Sequence, residues 1–190
     1  MLALAFVASP LRQIPVIIVM NQIEVTKFEV RGDELWMNGE INSKTLGQFE
    51  DVIAENPNIT TIVEENVPGS LNDDTMIELA YRVRELGLNT RLLAHSEIDS
   101  GGVDLFLAGV ERTMDDGAHI GVHSWSDGVR EATDYEPDAP EHEKNRKYIE
   151  DMLGSDEFYW FTINAAPADD IHRMTNDEIV RFGLLTAPIG

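Results

Sequence analysis

Cysteine is absent from the 190-residue sequence, and basic residues are scarce: 14 Lys and Arg stand against 35 Asp and Glu. Without thiols there are no disulfides, no thiolate nucleophile and no cysteine metal site. The same absence fits an oxidising or a reducing compartment, so cytoplasm and periplasm both stay open. A net charge of −21 opposes any nucleic-acid or anionic-membrane surface through simple repulsion. Long hydrophobic runs are also lacking. Met1–Ser9 and Ile14–Met20 are apolar, but both fall short of the ~18–20 residues a bilayer crossing needs. The first has no basic residues to open a signal peptide. Each is read either as the remnant of a trimmed signal or as part of an N-terminal strand segment within residues 1–32, the strand being the favoured reading. No internal repeat or low-complexity tract divides the chain, so residues 1–190 form a single domain, large enough to bury a core unaided.

What is present is a regular alternation. Ile23–Val30 and Leu35–Ile41 have loose strand patterns, the first ending at Gly32-Asp33. Ser43 opens a helix with Leu46, Phe49, Val52 and Ile53 on one face, stopped by Asn56-Pro57. Ile59–Val63 is β-branched and reads as a buried strand. Helix 72–86 carries Met76, Leu79, Ala80, Val83 and Leu86 at helical spacing, and Gly87 closes it. Then come strand Arg91–Ala94, helix 102–108 and strand His119–His123. Repeated βα units of this length predict an α/β fold with a mostly parallel sheet and right-handed crossovers. Residues 124–154 are read as an acidic solvated loop to Pro140, then a long helix capped by Asp138. Ser155 is expected to cap a helix whose Phe158, Tyr159, Trp160, Phe161 and Ile163 serve as core or subunit contact. Thr175-Asn176-Asp177-Glu178 is a capping box before a last helix, and Leu184-Leu185 begins a short strand.

The chemistry centres on Asp99-Ser100-Gly101-Gly102-Val103-Asp104-Leu105-Phe106-Leu107-Ala108-Gly109. A strand delivers the chain to a serine flanked by an acid and two glycines, and an apolar helix follows. Such a turn exposes a nucleophile, and the backbone N–H groups at the helix start can hold an oxyanion. The plainer reading is that Ser100 caps the helix. In parallel sheets, sites gather at the carboxyl ends of strands. Gly69, Ser100 and His123 each follow a strand, so one crevice can collect all three. His119 and His123 share a strand face but stand roughly 13 Å apart along it, too far for one metal ion. No metal or cofactor site is expected.

From about Leu35 to Leu185 the order and spacing of these segments resemble the Clp-protease/crotonase superfamily, and within it the ClpP-type serine peptidases. Leu35–Glu40 is similar to the family's first core strand, and Val67-Pro68-Gly69-Ser70 to its oxyanion loop. Ser100 with the run to Ala108-Gly109 matches the nucleophile helix, and His123 matches the base at its strand end. The resemblance implies stacked ββα units, a homo-oligomer, and acyl transfer on a peptide or protein substrate. In that scheme Ser100 attacks, His123 takes the proton and Asp170 orients the imidazole, while the Gly69 and Gly101 amides hold the oxyanion. The loop has one glycine where the family has two, so Ser70 N–H stands where a glycine amide is expected. A rigid count puts the third member at Ile171, one residue past Asp170. Asp169 and His172 are the reserve acid and base. Lys144 and Lys147 lie in a charged helix away from the serine, which disfavours a Ser–Lys pair. Nothing marks a docking surface for an unfoldase ATPase.

Two other classes remain at this point. A crotonase-like acyl-CoA enzyme would use the same amides for a thioester enolate without Ser100 or His123. A non-catalytic scaffold would use the fold and the aromatic helix only to oligomerise.

Overall fold

The structure, a computed structural model, describes residues 26–190. The expectations for Met1–Ser9, Ile14–Met20 and the start of Ile23–Val30 lie outside the described residues. Seven strands and six helices follow one another, beginning with β1 (Lys27–Arg31), β2 (Glu34–Asn38), α1 (Thr45–Glu55), β3 (Thr61–Val67) and α2 (Asp73–Glu85). Next come β4 (Asn89–Asp99), α3 (Gly101–Leu107), β5 (Arg112–Met114) and β6 (His119–Val122). The chain ends with α4 (Pro140–Leu153), α5 (Glu157–Ala165), β7 (His172–Arg173) and α6 (Asn176–Arg181).

One sheet runs β1-β2-β3-β4-β6-β7, with β5 also on β4. The inner pairs β2–β3, β3–β4, β4–β5 and β4–β6 are parallel, and only the outer pairs β1–β2 and β6–β7 are antiparallel. The expected α/β architecture with flanking helices is therefore the observed one. Parallel strands buried on both faces read as continuous apolar runs, which is why Ile62, Val63, Leu92 and Ile120 could be recognised as core.

β4 is the hub. It continues through Asp99, five residues beyond the strand expected at Arg91–Ala94. Leu92 pairs with Glu64, and the ladder resumes only at Glu97 opposite Asn66. Ser96 Oγ fills this irregularity: it accepts from Leu93 N at 2.9 Å and donates to Glu64 O at 2.5 Å. The break lets one half of β4 pair with β5 and the other with β6. Polar residues drew the sequence reading away from this stretch, yet Ser96 is fully buried and replaces a ladder bond.

Side-chain caps fix the starts of two of the six α-helices. Asn72 caps α2 by accepting from Thr75 N, and Thr175 and Glu178 form the expected capping box on α6. Other expectations are corrected. Asp138 does not cap α4; Ala139 precedes Pro140, whose fixed φ suits the first helical turn. α1 starts after Lys44 rather than from a Ser43 cap, and α5 after Asp156 rather than Ser155. Leu184-Leu185 forms no strand. Leu184 is buried, and Arg112 ties the segment down through Leu184 O and Gly183 O. Arg84 donates to the carbonyls of Leu107 and Ala108, setting a cation at the C-terminus of α3, where the helix dipole favours it.

Phe158, Tyr159 and Ile163 of α5 are core residues, while Trp160 and Phe161 pack partly buried against it. Among the described residues three buried side chains keep an unpartnered polar atom: Glu64, Asp99 and His142. Glu64 is fully enclosed in β3, both carboxyl oxygens lack a hydrogen-bond partner, and burial pushes its pKa well above the usual carboxylate range.

Candidate active site

Ser100 ends β4 and precedes α3 with φ 52° and ψ −123°, and it is the one non-glycine residue with positive φ among the described residues. A side-chain-bearing residue held there is strained by roughly 1–3 kcal/mol. The turn is locked from two sides. Ser100 N donates to Gly121 O in β6, and Ser100 O accepts from Val103 N and Asp104 N of α3. Its hydroxyl makes no capping bond to the helix. The capping role is thus not what the side chain performs; Ser100 lines a cavity of about 80 Å³.

The Val67–Ser70 loop lies beside it. Ile41 N donates to Gly69 O, and Leu71 N donates to Ile41 O, so the loop is stitched onto the chain leaving β2. Neither the Gly69 nor the Gly101 amide donates to another described residue. The approach of loop and helix is close enough to require glycine. A methyl group on Gly101 would lie 2.6 Å from Ser70 Cβ, and one on Gly69, at φ +144°, would lie 3.3 Å from Ser100 Cβ.

His123 follows β6 and lines the same cavity as Ser100. Its Nδ1 lies 2.6 Å from the Ser124 carbonyl, which can only accept. This fixes the proton on Nδ1 and leaves Nε2 with its lone pair free. Ser124 is held in turn, since its N–H donates to Ala166 O at 2.8 Å. Ser100, Gly69, Gly101 and His123 therefore come together at the carboxyl ends of β3, β4 and β6. Ser70 adjoins Gly101, and its Oγ accepts from Asn72 N.

No hydrogen bond joins either candidate acid to His123 among the described residues. Asp170 is exposed, and its carboxylate accepts from the Ile171 amide; Asp169 is exposed as well. It is Ile171, the residue found by rigid counting, that reaches the sheet, with Cγ2 2.6 Å from where a Gly121 methyl would stand. The reserve base His172 pairs with Glu178 at 3.1 Å. Among the described residues no group of three His, Asp or Glu side chains is arranged for a metal ion.

Three acids near the site were not singled out by sequence reasoning. Asp99 Oδ1 is buried over Gly121 without a partner, and burial raises its pKa. Asp73, at the start of α2, and Asp104, in α3, both line the cavity. Burial raises the pKa of both; Asp104 is pushed up to about 7, with the Asp73 charge adding to the effect. The signal for Asp104 was there: a carboxylate one turn after the serine, inside a run otherwise apolar from Val103 to Ala108. Beside the acids, Val103, Val122, Ile149, Phe158 and Ile163 give the cavity apolar walls, and Trp125 donates from Nε1 to Tyr159 OH at 3.0 Å near its edge.

No protein-family model matches the sequence, and no curated protein is similar to it in sequence. Solved structures share its fold. A mutant of the membrane-bound stomatin-specific protease 1510-N superposes with a TM-score of 0.55 at 19% identity, over 80% of this chain and 75% of that one. A second mutant of that protease, in complex with a substrate peptide, superposes with a TM-score of 0.52 at 19% identity, over 77% of this chain and 71% of that one. An enoyl-CoA hydratase from Shewanella pealeana superposes with a TM-score of 0.54 at 9% identity, over 91% and 71%. The chain has the fold common to ClpP-like proteases and the crotonases.

Proposed function

We propose that this chain is a serine hydrolase acting on peptide or protein substrates by acyl transfer. The observation that carries the reading is the Ser100 turn: a strained nucleophile-type backbone whose hydroxyl is spent on no cap, at a residue lining the same cavity as His123. In the first step Ser100 Oγ attacks the acyl carbon while His123 Nε2 takes its proton. The tetrahedral oxyanion is received by the unpaired Gly69 and Gly101 amides. His123 then protonates the leaving amine, and a water molecule activated by the same nitrogen releases the acyl group and restores Ser100.

In this chain the imidazole is oriented by a main-chain carbonyl, so Ser100 and His123 act as a pair. Asp170 as a third member would need its carboxylate turned from the Ile171 amide toward the ring. The test is a fluorophosphonate probe. Labelling of the native chain that disappears in Ser100→Ala and falls steeply in His123→Ala supports the hydrolase. Absence of labelling in the native chain refutes it.

The crotonase-like alternative draws on the same two unpaired amides, which suit a thioester enolate equally well. It gives no reason for strain at Ser100 or for the His123 tautomer. Thioester turnover that persists unchanged in Ser100→Ala would favour it.

A further inference from the structure

We infer that the cavity beside Ser100 receives a cationic side chain, so that the preferred substrate carries a lysine- or arginine-like group on the residue next to the cleaved bond. The inference rests on the hydrolase reading for the word substrate, but the pocket's chemistry stands apart from it.

Two carboxylates line this cavity, and no lysine or arginine does. Asp104 sits one turn along α3 from Ser100, its amide bonded to Ser100 O at 3.2 Å. Asp104 is half-buried, and it lines the cavity from α3. Its carboxyl accepts no hydrogen bond and joins no ion pair among the described residues; the nearby Tyr148 hydroxyl donates to the Asp104 main-chain oxygen instead. Asp73 is exposed at the cavity's rim, and its carboxylate is likewise without a donor. A half-buried acid with no hydrogen-bond donor is poorly solvated, and among the described residues no lysine or arginine lining the cavity relieves it, Lys144 acting on Asp73 from outside. A ligand ammonium or guanidinium would do so. The apolar walls at Val103, Ile149 and Phe158 suit the methylene stem of such a side chain, which keeps its charge at the far end. The net charge of −21 would draw cationic peptides toward the surface from a distance.

The test uses p-aminobenzamidine against its neutral analogue 4-aminobenzamide, with binding to the native chain followed by fluorescence. The amidine is expected to bind about tenfold or more tightly than the amide, and Asp104→Asn to remove that advantage. Asp138→Asn removes one charge from the exposed acidic loop and is expected to change binding by less than about twofold, which separates the pocket from the general field. Asp73→Asn, at the rim, gives a second reading should Asp104→Asn fail to fold. Equal binding of the two probes, or an amidine preference that survives both cavity variants, overturns the inference. A kinetic arm compares p-nitrophenyl esters of Nα-acetyl-lysine and Nα-acetyl-norleucine. If both are cleaved equally well, the pocket assignment falls and the hydrolase stands. If neither is cleaved while amidine binding follows Asp104, the pocket stands and the hydrolase falls.

Discussion

The strain at Ser100 can be measured by removing it. Glycine tolerates φ 52° with ψ −123°, whereas alanine keeps the offending Cβ. The conformation costs roughly 1–3 kcal/mol for a residue with a side chain. Against this, glycine loses more backbone freedom on folding than alanine, by roughly 0.5–1 kcal/mol. Hydroxyl loss is common to Ser100→Ala and Ser100→Gly, and no capping bond is lost in either. Ser100→Gly is therefore expected to be about 1 kcal/mol more stable than Ser100→Ala, a difference of about 2–4 °C in melting temperature for a chain of this size. Urea unfolding of the two variants in one buffer reads it directly, and neither should react with a serine-directed probe. If Ser100→Gly proves no more stable than Ser100→Ala, the turn is not strained and the argument built on it fails.

Other outcomes follow from the same geometry. Asp170→Asn is expected to leave kcat/KM within about threefold of the native value, because Ser124 O already holds the imidazole; a fall of roughly 10⁴ would mean that an acid drives the tautomer as in a full triad. Glu64 keeps its proton in the folded chain over a pH range where the unfolded chain has released it, so stability is full below the ordinary glutamate pKa and declines as pH rises toward the raised one. Glu64→Gln lacks this term, and its stability relative to native should rise by about 1.4 kcal/mol per pH unit in that window, measured by urea unfolding at pH 5, 6 and 7. A gap that does not change with pH would contradict the buried, unpaired carboxyl. Asp104 ionises near pH 7 in the free chain, so the lysine-over-norleucine ester ratio should grow between pH 6 and pH 8 and become flat in Asp104→Asn. Taking the ratio cancels any pH effect common to the two esters.

Periodicity carried the sequence reading where burial was one-sided or complete. Helix 72–86 was found within a residue at each end because its apolar stripe and Asn72 and Gly87 signals agree. The Ser100 turn and the histidine's strand end were legible because serine, glycines and a short apolar run leave few alternatives. The far half of β4 was missed, since His95, Ser96 and Glu97 look like a loop until Ser96 is seen replacing a ladder bond. β5 and β7 are three and two residues long and exist only through their neighbours in the sheet. The third acid was sought by counting along the chain, and spacing cannot reveal that Asp170 turns to its own neighbour's amide while Ile171 faces the sheet. Nor can a sequence reveal a main-chain acceptor, because every residue has one.

That last point reaches beyond this molecule. A peptide oxygen belongs to whichever amino acid occupies position 124, so point substitution there leaves the contact to Nδ1 in place as long as the backbone keeps its course. If Ser100 and His123 act as the proposed pair, the acid before β7 carries no tautomer-fixing role to conserve. Searches that demand a serine, a histidine and an acid in register would pass over proteins built this way, whereas a search for a left-handed serine beside two unsatisfied amides would find them.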